Sequence, residues 1–120
     1  MDREELKVRL KRFALRVITL VDHMPKTRSG NALANQIIRS GTSPYANYCA
    51  ACIGKSEKDF LNKLKMVEEE LDETAHWLEL IMDSGMIKKE RLVELYQENL
   101  ELLKIIVRSI ITIREKLNKS

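Results

Sequence analysis

Phe60, Leu64, Val67, Leu71, Thr74, Leu78 and Ile81 recur at strict four-three spacing over three heptads. With 3.6 residues per helical turn, that spacing draws one narrow, mostly apolar seam along a single helix face, and such a seam is stable only when other helices cover it. A chain with this segment is therefore committed to a helical bundle. Both ends of the segment carry stop and start signals. Ser56 is placed to accept from the amide of Asp59, and Glu57 and Asp59 oppose the positive end of the helix dipole. Asp83-Ser84-Gly85 closes it with glycine after the last apolar turn. The helix should run over about residues 57–83.

The rest of the sequence supplies the covering helices. With Gly 4, Pro 2 and 5% aromatic residues, but abundant Leu, Ile, Lys and Glu, the chain lacks the turn-rich, β-branched mixture of a sheet protein. At 120 residues it has room for one domain, 1–120. Leu6, Leu10, Phe13, Val17 and Leu20 mark a first helix over about 2–23. Met24 to Gly30 breaks the pattern, because Pro25 disfavours helical geometry at the residue before it and Thr27 or Ser29 can cap a new helix. A second helix over about 31–53 presents Ala34, Ile38, Gly41, Tyr45, Tyr48 and Cys52 inward, many of them small enough for close helix approach. Pro44 lies inside it and removes an amide donor, which costs about 3 kcal/mol in a helix interior, so a kink or local break is expected at Ser40 to Pro44. A fourth helix occupies about 88–117. Short connections between four helices imply an all-α, antiparallel, up-down-up-down four-helix bundle with a kinked second helix.

Helix four is apolar over an unusually wide arc. Leu102, Leu103, Ile105, Ile106, Val107, Ile110, Ile111 and Ile113 cover more than the roughly 100° that facing the rest of one bundle requires. Large exposed apolar patches are uncommon on monomers, so the surplus points to a homo-oligomer, with Leu102, Ile106, Ile110 and Ile113 as the expected interface.

Charge is distributed unevenly although the net value is only +3. Residues 24–55 hold Lys26, Arg28, Arg39 and Lys55 and no acid, whereas residues 56–83 hold nine acids against three bases. Lys11, Arg12 and Arg16 add bases along helix one. Copied around an oligomer, the strip Lys11, Arg12, Arg16, Lys26, Arg28 and Arg39 becomes a basic surface able to release counterions from a nucleic-acid backbone. The rival partner is another polypeptide, bound through the acidic face of helix three or the apolar surplus of helix four. No apolar run approaches the roughly 20 residues of a membrane span, and the first residues carry acids where a signal peptide carries bases, so no membrane role and a cytoplasmic location are expected.

Enzyme chemistry finds no residues to use. Cys49 and Cys52 form a CxxC, yet near a helix C-terminus, where the dipole works against a thiolate, so packing is the better reading. A zinc site would need His23 and His76 as well, and His76 lies roughly 24 Å along its helix from the level of Cys52 at about 1.5 Å per residue. Glu68 to Glu73 lack the inward Glu and Glu-x-x-His partners of a dimetal centre and are expected to face solvent. No catalytic triad and no phosphate loop can be assembled. The expectation is a non-catalytic protein without cofactor or metal.

Three motifs occur in a distinctive order: Asn35-Gln-Ile-Ile-Arg-Ser-Gly-Thr-Ser-Pro-Tyr-Ala-Asn-Tyr48, Lys55-Ser-Glu-Lys-Asp-Phe60 and Glu73-Thr-Ala-His-Trp-Leu-Glu-Leu80. Together they resemble the four-helix-bundle proteins encoded by intervening sequences of bacterial 23S ribosomal RNA genes, over nearly the whole chain. The chain is similar also to accessory proteins of diversity-generating retroelements, which bind nucleic acid and a reverse transcriptase. The resemblance implies a homopentamer with a basic surface and a role as an RNA-binding or reverse-transcriptase-associated scaffold. Ala50 stands where that family usually has glutamate, which implies an Arg39 free to meet a ligand. Ser40, Thr42, Ser43 and Asn47 are expected to satisfy the backbone that Pro44 disturbs.

Overall fold

The computed structural model describes residues 1–119; Ser120, the last position of the expected domain, lies outside the described residues. Four helices follow one another: α1 (Arg3–Asp22), α2 (Arg28–Cys52), α3 (Glu57–Ser84) and α4 (Val93–Asn118). The described residues contain no strand. They form a rod of 52 × 21 × 21 Å.

Caps explain most of the boundaries. The Asp2 carboxylate accepts from the amide of Glu5 at 2.8 Å and starts α1. Thr27 accepts from the amide of Gly30 at 3.0 Å, so α2 begins at Arg28, three residues earlier than the apolar pattern suggests. Ser56 accepts from Asp59 at 3.1 Å, and Gly85 ends α3 in the left-handed conformation at φ 77°, both as the sequence implies. The start of α4 differs: Lys89–Arg91 form a 3-10 turn, and α4 proper starts at Val93 with no side-chain cap.

The seam of α3 is the backbone of the core. Leu64, Val67, Leu71, Thr74, Leu78 and Ile81 are fully buried, and Phe60 nearly so. Residues of α3 pair with α4 in opposite order: Glu57 with Lys116, Leu71 with Asn99, and Glu79 with Tyr96. α1 rests on α2, and α2 on α3, while α1 and α4 make the sparsest contact of the neighbouring pairs. A two-pronged Arg9 to Glu98 ion pair, at 2.7 and 2.8 Å, bridges that gap.

Two expectations about α2 need correction. Its buried face is Ala34, Ile37, Gly41, Pro44, Tyr48 and Ala51, with Ser40 beside it, whereas Ile38, Tyr45 and Cys52 are only half-buried. Ala34, Gly41 and Tyr48 are buried as the sequence implies, but the face is rotated toward Ile37, Pro44 and Ala51, because small residues and a proline occupy it and leave little apolar signal. Of the kink or local break expected at Ser40 to Pro44, the break does not occur: the helix is continuous from Arg28 to Cys52 through Pro44. Polar side chains accompany the proline. Thr42 donates to the Ile38 carbonyl at 2.6 Å, and Asn47 donates to Ser43 at 2.9 Å. Ser40, whose carbonyl loses the bond Pro44 cannot make, points its hydroxyl across to α3 and accepts from Thr74 at 2.9 Å. Gly41 sits where α1 comes closest: a Cβ there would meet the methyls of Val17 at 2.8 and 2.9 Å.

A third correction concerns α4. Leu102, Ile106 and Ile110 are buried in the core of the subunit itself, and Ile113 packs partly against it. With Leu92, Leu95 and Asn99, the residues Leu102, Ile106 and Ile110 form the inward stripe of α4 and its approach, so these three are not available to a second copy. The apolar surplus lies beside that stripe, with Leu103, Ile105 and Val107 half-buried and Leu100 and Ile111 exposed.

Candidate nucleic-acid interface

The six basic candidates have three different fates. Arg39 is neutralised: its guanidinium donates to Glu70 at 3.1 Å and to Glu73, with Gln36 adding a longer contact. Glu73 also accepts from the Trp77 indole at 2.8 Å. The acids of 68–73 are therefore not all a solvated face. Glu70 and Glu73 turn toward α2 and supply the partner whose loss at Ala50 had implied a free arginine. Arg39 is half exposed, so this pairing contributes about 0–1 kcal/mol to stability while largely cancelling its charge toward a ligand.

Lys11 and Arg12 lie exposed on the outer side of α1. Between Glu5 and Asp22 that helix carries no acid. Val8, Leu15 and Ile18 are exposed on the same outer side.

Arg16, Lys26 and Arg28 gather at one end of the rod. Arg16 lines a groove where the last turns of α1 meet the 3-10 turn and the start of α4; its other polar walls are Thr19, His23 and Arg91, and its floor is apolar, including Leu20, Ile87 and Leu95. No acid lines this groove. His23 is held by a 2.8 Å contact between its Nδ1 and the Thr19 carbonyl. Four residues further, Thr27 caps α2, whose first turn contains Arg28 and no acid. The first turns of α1 and α3, by contrast, carry Glu4 and Glu5, and Glu57 and Asp59. The positive end of the α2 dipole is thus left uncompensated, at the same end of the molecule as Lys26 and Arg28. Arg91 was missed in the sequence because it lies on a different helix approach, and only the fold brings it into the groove that Arg16 lines.

Cys49 and Cys52 are free thiols, half-buried, with Cys52 packed against the core. A hydrogen bond with Cys49 raises the Tyr45 phenol above its usual range, and burial together with Cys52 does the same to Tyr48. His76 is exposed between Asp72 at 3.6 Å and Glu79 at 3.5 Å. Glu79 is also held below the usual carboxylate range, first by the Tyr96 hydroxyl, which donates to it at 2.7 Å. Among the described residues no group of three or more His, Cys, Asp or Glu is placed to hold a metal ion. No helix among them is long and apolar enough to cross a membrane.

Comparison with known proteins agrees with the motifs. No curated protein matches the chain. A crystal structure of a protein of unknown function from the S23 ribosomal protein family of Bacteroides thetaiotaomicron VPI-5482 is similar, with a TM-score of 0.82 and 31% identity. The match covers 88% of this chain and 97% of that one. The 23S rRNA-intervening sequence proteins match residues 4–108. Sequence and fold together place this chain in the 23S rRNA-intervening sequence protein family.

Proposed function

We propose that the protein is a non-catalytic, homo-oligomeric scaffold that binds nucleic acid by its phosphate backbone. Each subunit is an antiparallel up-down-up-down bundle, bent at Pro44, and the copies form a ring, of five subunits by the resemblance. The observation that carries the reading is the groove lined by Arg16 and Arg91 and by no acid, at the end of the rod that also carries Lys26, Arg28 and the uncompensated start of α2. Two cations flanking an apolar floor suit a phosphate with its sugar or base beside it. Membership of a family whose description refers to 23S rRNA supports structured RNA as the first ligand to try. Lys11 and Arg12 extend the strip along α1, but their apolar neighbours favour a protein contact there. Arg39 drops out of the strip through its pairing with Glu70 and Glu73.

A fluorescent RNA hairpin titrated with wild type and variants tests this. Arg16→Glu combined with Arg28→Glu should lower affinity by at least tenfold, and equally for hairpins of unrelated sequence, because phosphate contacts carry no sequence information. Arg39→Ala should change affinity by less than about twofold, because its charge is already matched. Wild-type protein that binds no RNA, or a double variant that binds as well as wild type, would overturn the reading.

The acidic side of α3 offers a second partner surface. Glu68, Glu69 and Asp72 stand over a groove floored by Leu103 and Val107 of α4. This favours a polypeptide partner at a face away from the basic end, in keeping with an adaptor that joins nucleic acid to protein, such as an accessory subunit of a reverse transcriptase.

A further inference from the structure

Phosphate binding accounts for the arginines of the groove at the end of α1 but not for its leucines. Arg16 and Arg91 share the lining with Leu15, an aliphatic side chain that is 53% exposed, and with the buried Leu20, Ile87, Leu92 and Leu95. Apolar surface gains from being covered only by another weakly hydrated group, and a phosphate is strongly hydrated. Asp22 and Glu90 stand next in sequence to His23 and Arg91, yet neither lines the groove. His23 adds a flat ring with one polar edge. The Thr19 carbonyl can only accept, so the 2.8 Å contact places a proton on Nδ1 and leaves Nε2 as the ring nitrogen for a ligand. The groove holds about 320 Å³, at the small end of the roughly 300–1,000 Å³ of small-ligand sites, which suits one nucleotide and not a helix.

We infer that this groove takes a single unpaired nucleotide of an RNA, with its base turned out of the stack onto Leu15 and the aliphatic floor and its phosphate held by Arg16 and Arg91. A duplex cannot fill the groove in this way. Its bases are stacked inside, and it presents phosphates and sugars to a protein surface, so paired RNA engages the arginines and leaves Leu15 in water. A nucleotide in a loop, a bulge or a single-stranded end covers both parts of the lining at once. Every base has a weakly hydrated face that packs on apolar side chains or on a guanidinium plane, so the preference is for an unpaired base and not for a sequence.

The inference rests on the RNA-binding reading above and narrows its ligand. Its test is fluorescence anisotropy of the whole chain against three labelled RNAs that share one stem. The first is fully paired and blunt-ended, the second carries one adenosine bulged from its middle, and the third has an abasic residue in place of that adenosine, which keeps the phosphate and removes the base. The bulged RNA should bind about tenfold tighter than the paired one, the scale of one stacked base, and the abasic RNA should lose most of that gain. Leu15→Ser, a change at an exposed position that leaves the fold standing, should lower affinity for the bulged RNA by about threefold or more and leave the paired RNA unchanged. Arg16→Glu should weaken all three complexes. A paired RNA that binds as tightly as the bulged one, an abasic bulge that keeps the full gain, or a Leu15→Ser variant with an unchanged ratio of the two affinities overturns the base site, and phosphate binding stands if Arg16→Glu still weakens every complex. Binding to none of the three RNAs overturns both.

Discussion

Ile106→Asp should abolish the cooperative fold of the subunit, and not merely separate its copies. Ile106 is fully buried on the inward stripe of α4. Removing its side chain from the core forfeits about 1.5–3 kcal/mol of transfer free energy. A carboxylate in its place has no cation within the core and faces a desolvation penalty of several kcal/mol, part of which it can escape by remaining protonated. Against a total stability of roughly 5–15 kcal/mol for a domain of this kind, that loss takes most or all of the margin. Thermal melting followed by circular dichroism at 222 nm should show the transition lost, or lowered by more than about 20 °C at the 2–8 °C per kcal/mol typical of small domains. A variant that melts like wild type but runs as a monomer would mean that this side of α4 faces another copy, and that the core as described is wrong.

Gly30→Ala should be the most damaging of the small substitutions. Gly30 lies in the first turn of α2, and a Cβ built on it would collide with the Pro25 carbonyl oxygen and stand 3.0 Å from the Thr27 hydroxyl. The obstacle is backbone, held between Met24, which is buried, and the Thr27 cap. Relief requires the loop to move and the 3.0 Å cap bond to break. Overpacking of about 1–3 kcal/mol and a lost N-cap of about 1 kcal/mol together give a destabilisation on the order of 3 kcal/mol, readable as a lower urea midpoint at unchanged slope. The same loop carries Lys26 and leads into Arg28, so RNA affinity should fall even at temperatures where the variant remains folded. A change below about 0.5 kcal/mol would show that the approach of α2 to Pro25 is not as close as described.

The two glycine-lined helix approaches show where the sequence spoke and where it was silent. Helix three was legible to within a residue, because its seam is almost purely apolar and its ends carry Ser56 and Gly85, groups with strong local geometry of their own. The face of α2 was partly misphased because Ser40 and Pro44 are buried there for reasons of shape and hydrogen bonding that hydropathy does not register. Asn99 is the same case on α4. It is fully buried on the inward stripe and donates to the Leu71 carbonyl at 3.0 Å. A polar residue on that stripe hides its direction from hydropathy, and the expected interface fell on Leu102, Ile106, Ile110 and Ile113, whereas the exposed apolar residues of α4 are Leu100 and Ile111. The candidate site divided along similar lines. Arg28 and Lys26 stand out in an acid-free run, but the pairing of Arg39 with Glu70 and Glu73 spans more than thirty residues. The meeting of Arg16 with Arg91 spans seventy-five residues, and no local pattern encodes it.

The proposal that copies of this bundle bind RNA by its phosphates is tested most directly by the salt dependence of binding. With Arg16, Lys26, Arg28 and Arg91 contributed by each subunit, even one engaged subunit displaces several counterions. The logarithm of the association constant for an RNA hairpin should then fall linearly with the logarithm of salt concentration, at a slope of roughly −3 or steeper. Arg16→Glu with Arg28→Glu should flatten that slope by about 2 or more. A slope near zero, or one that the double variant leaves unchanged, would contradict the account.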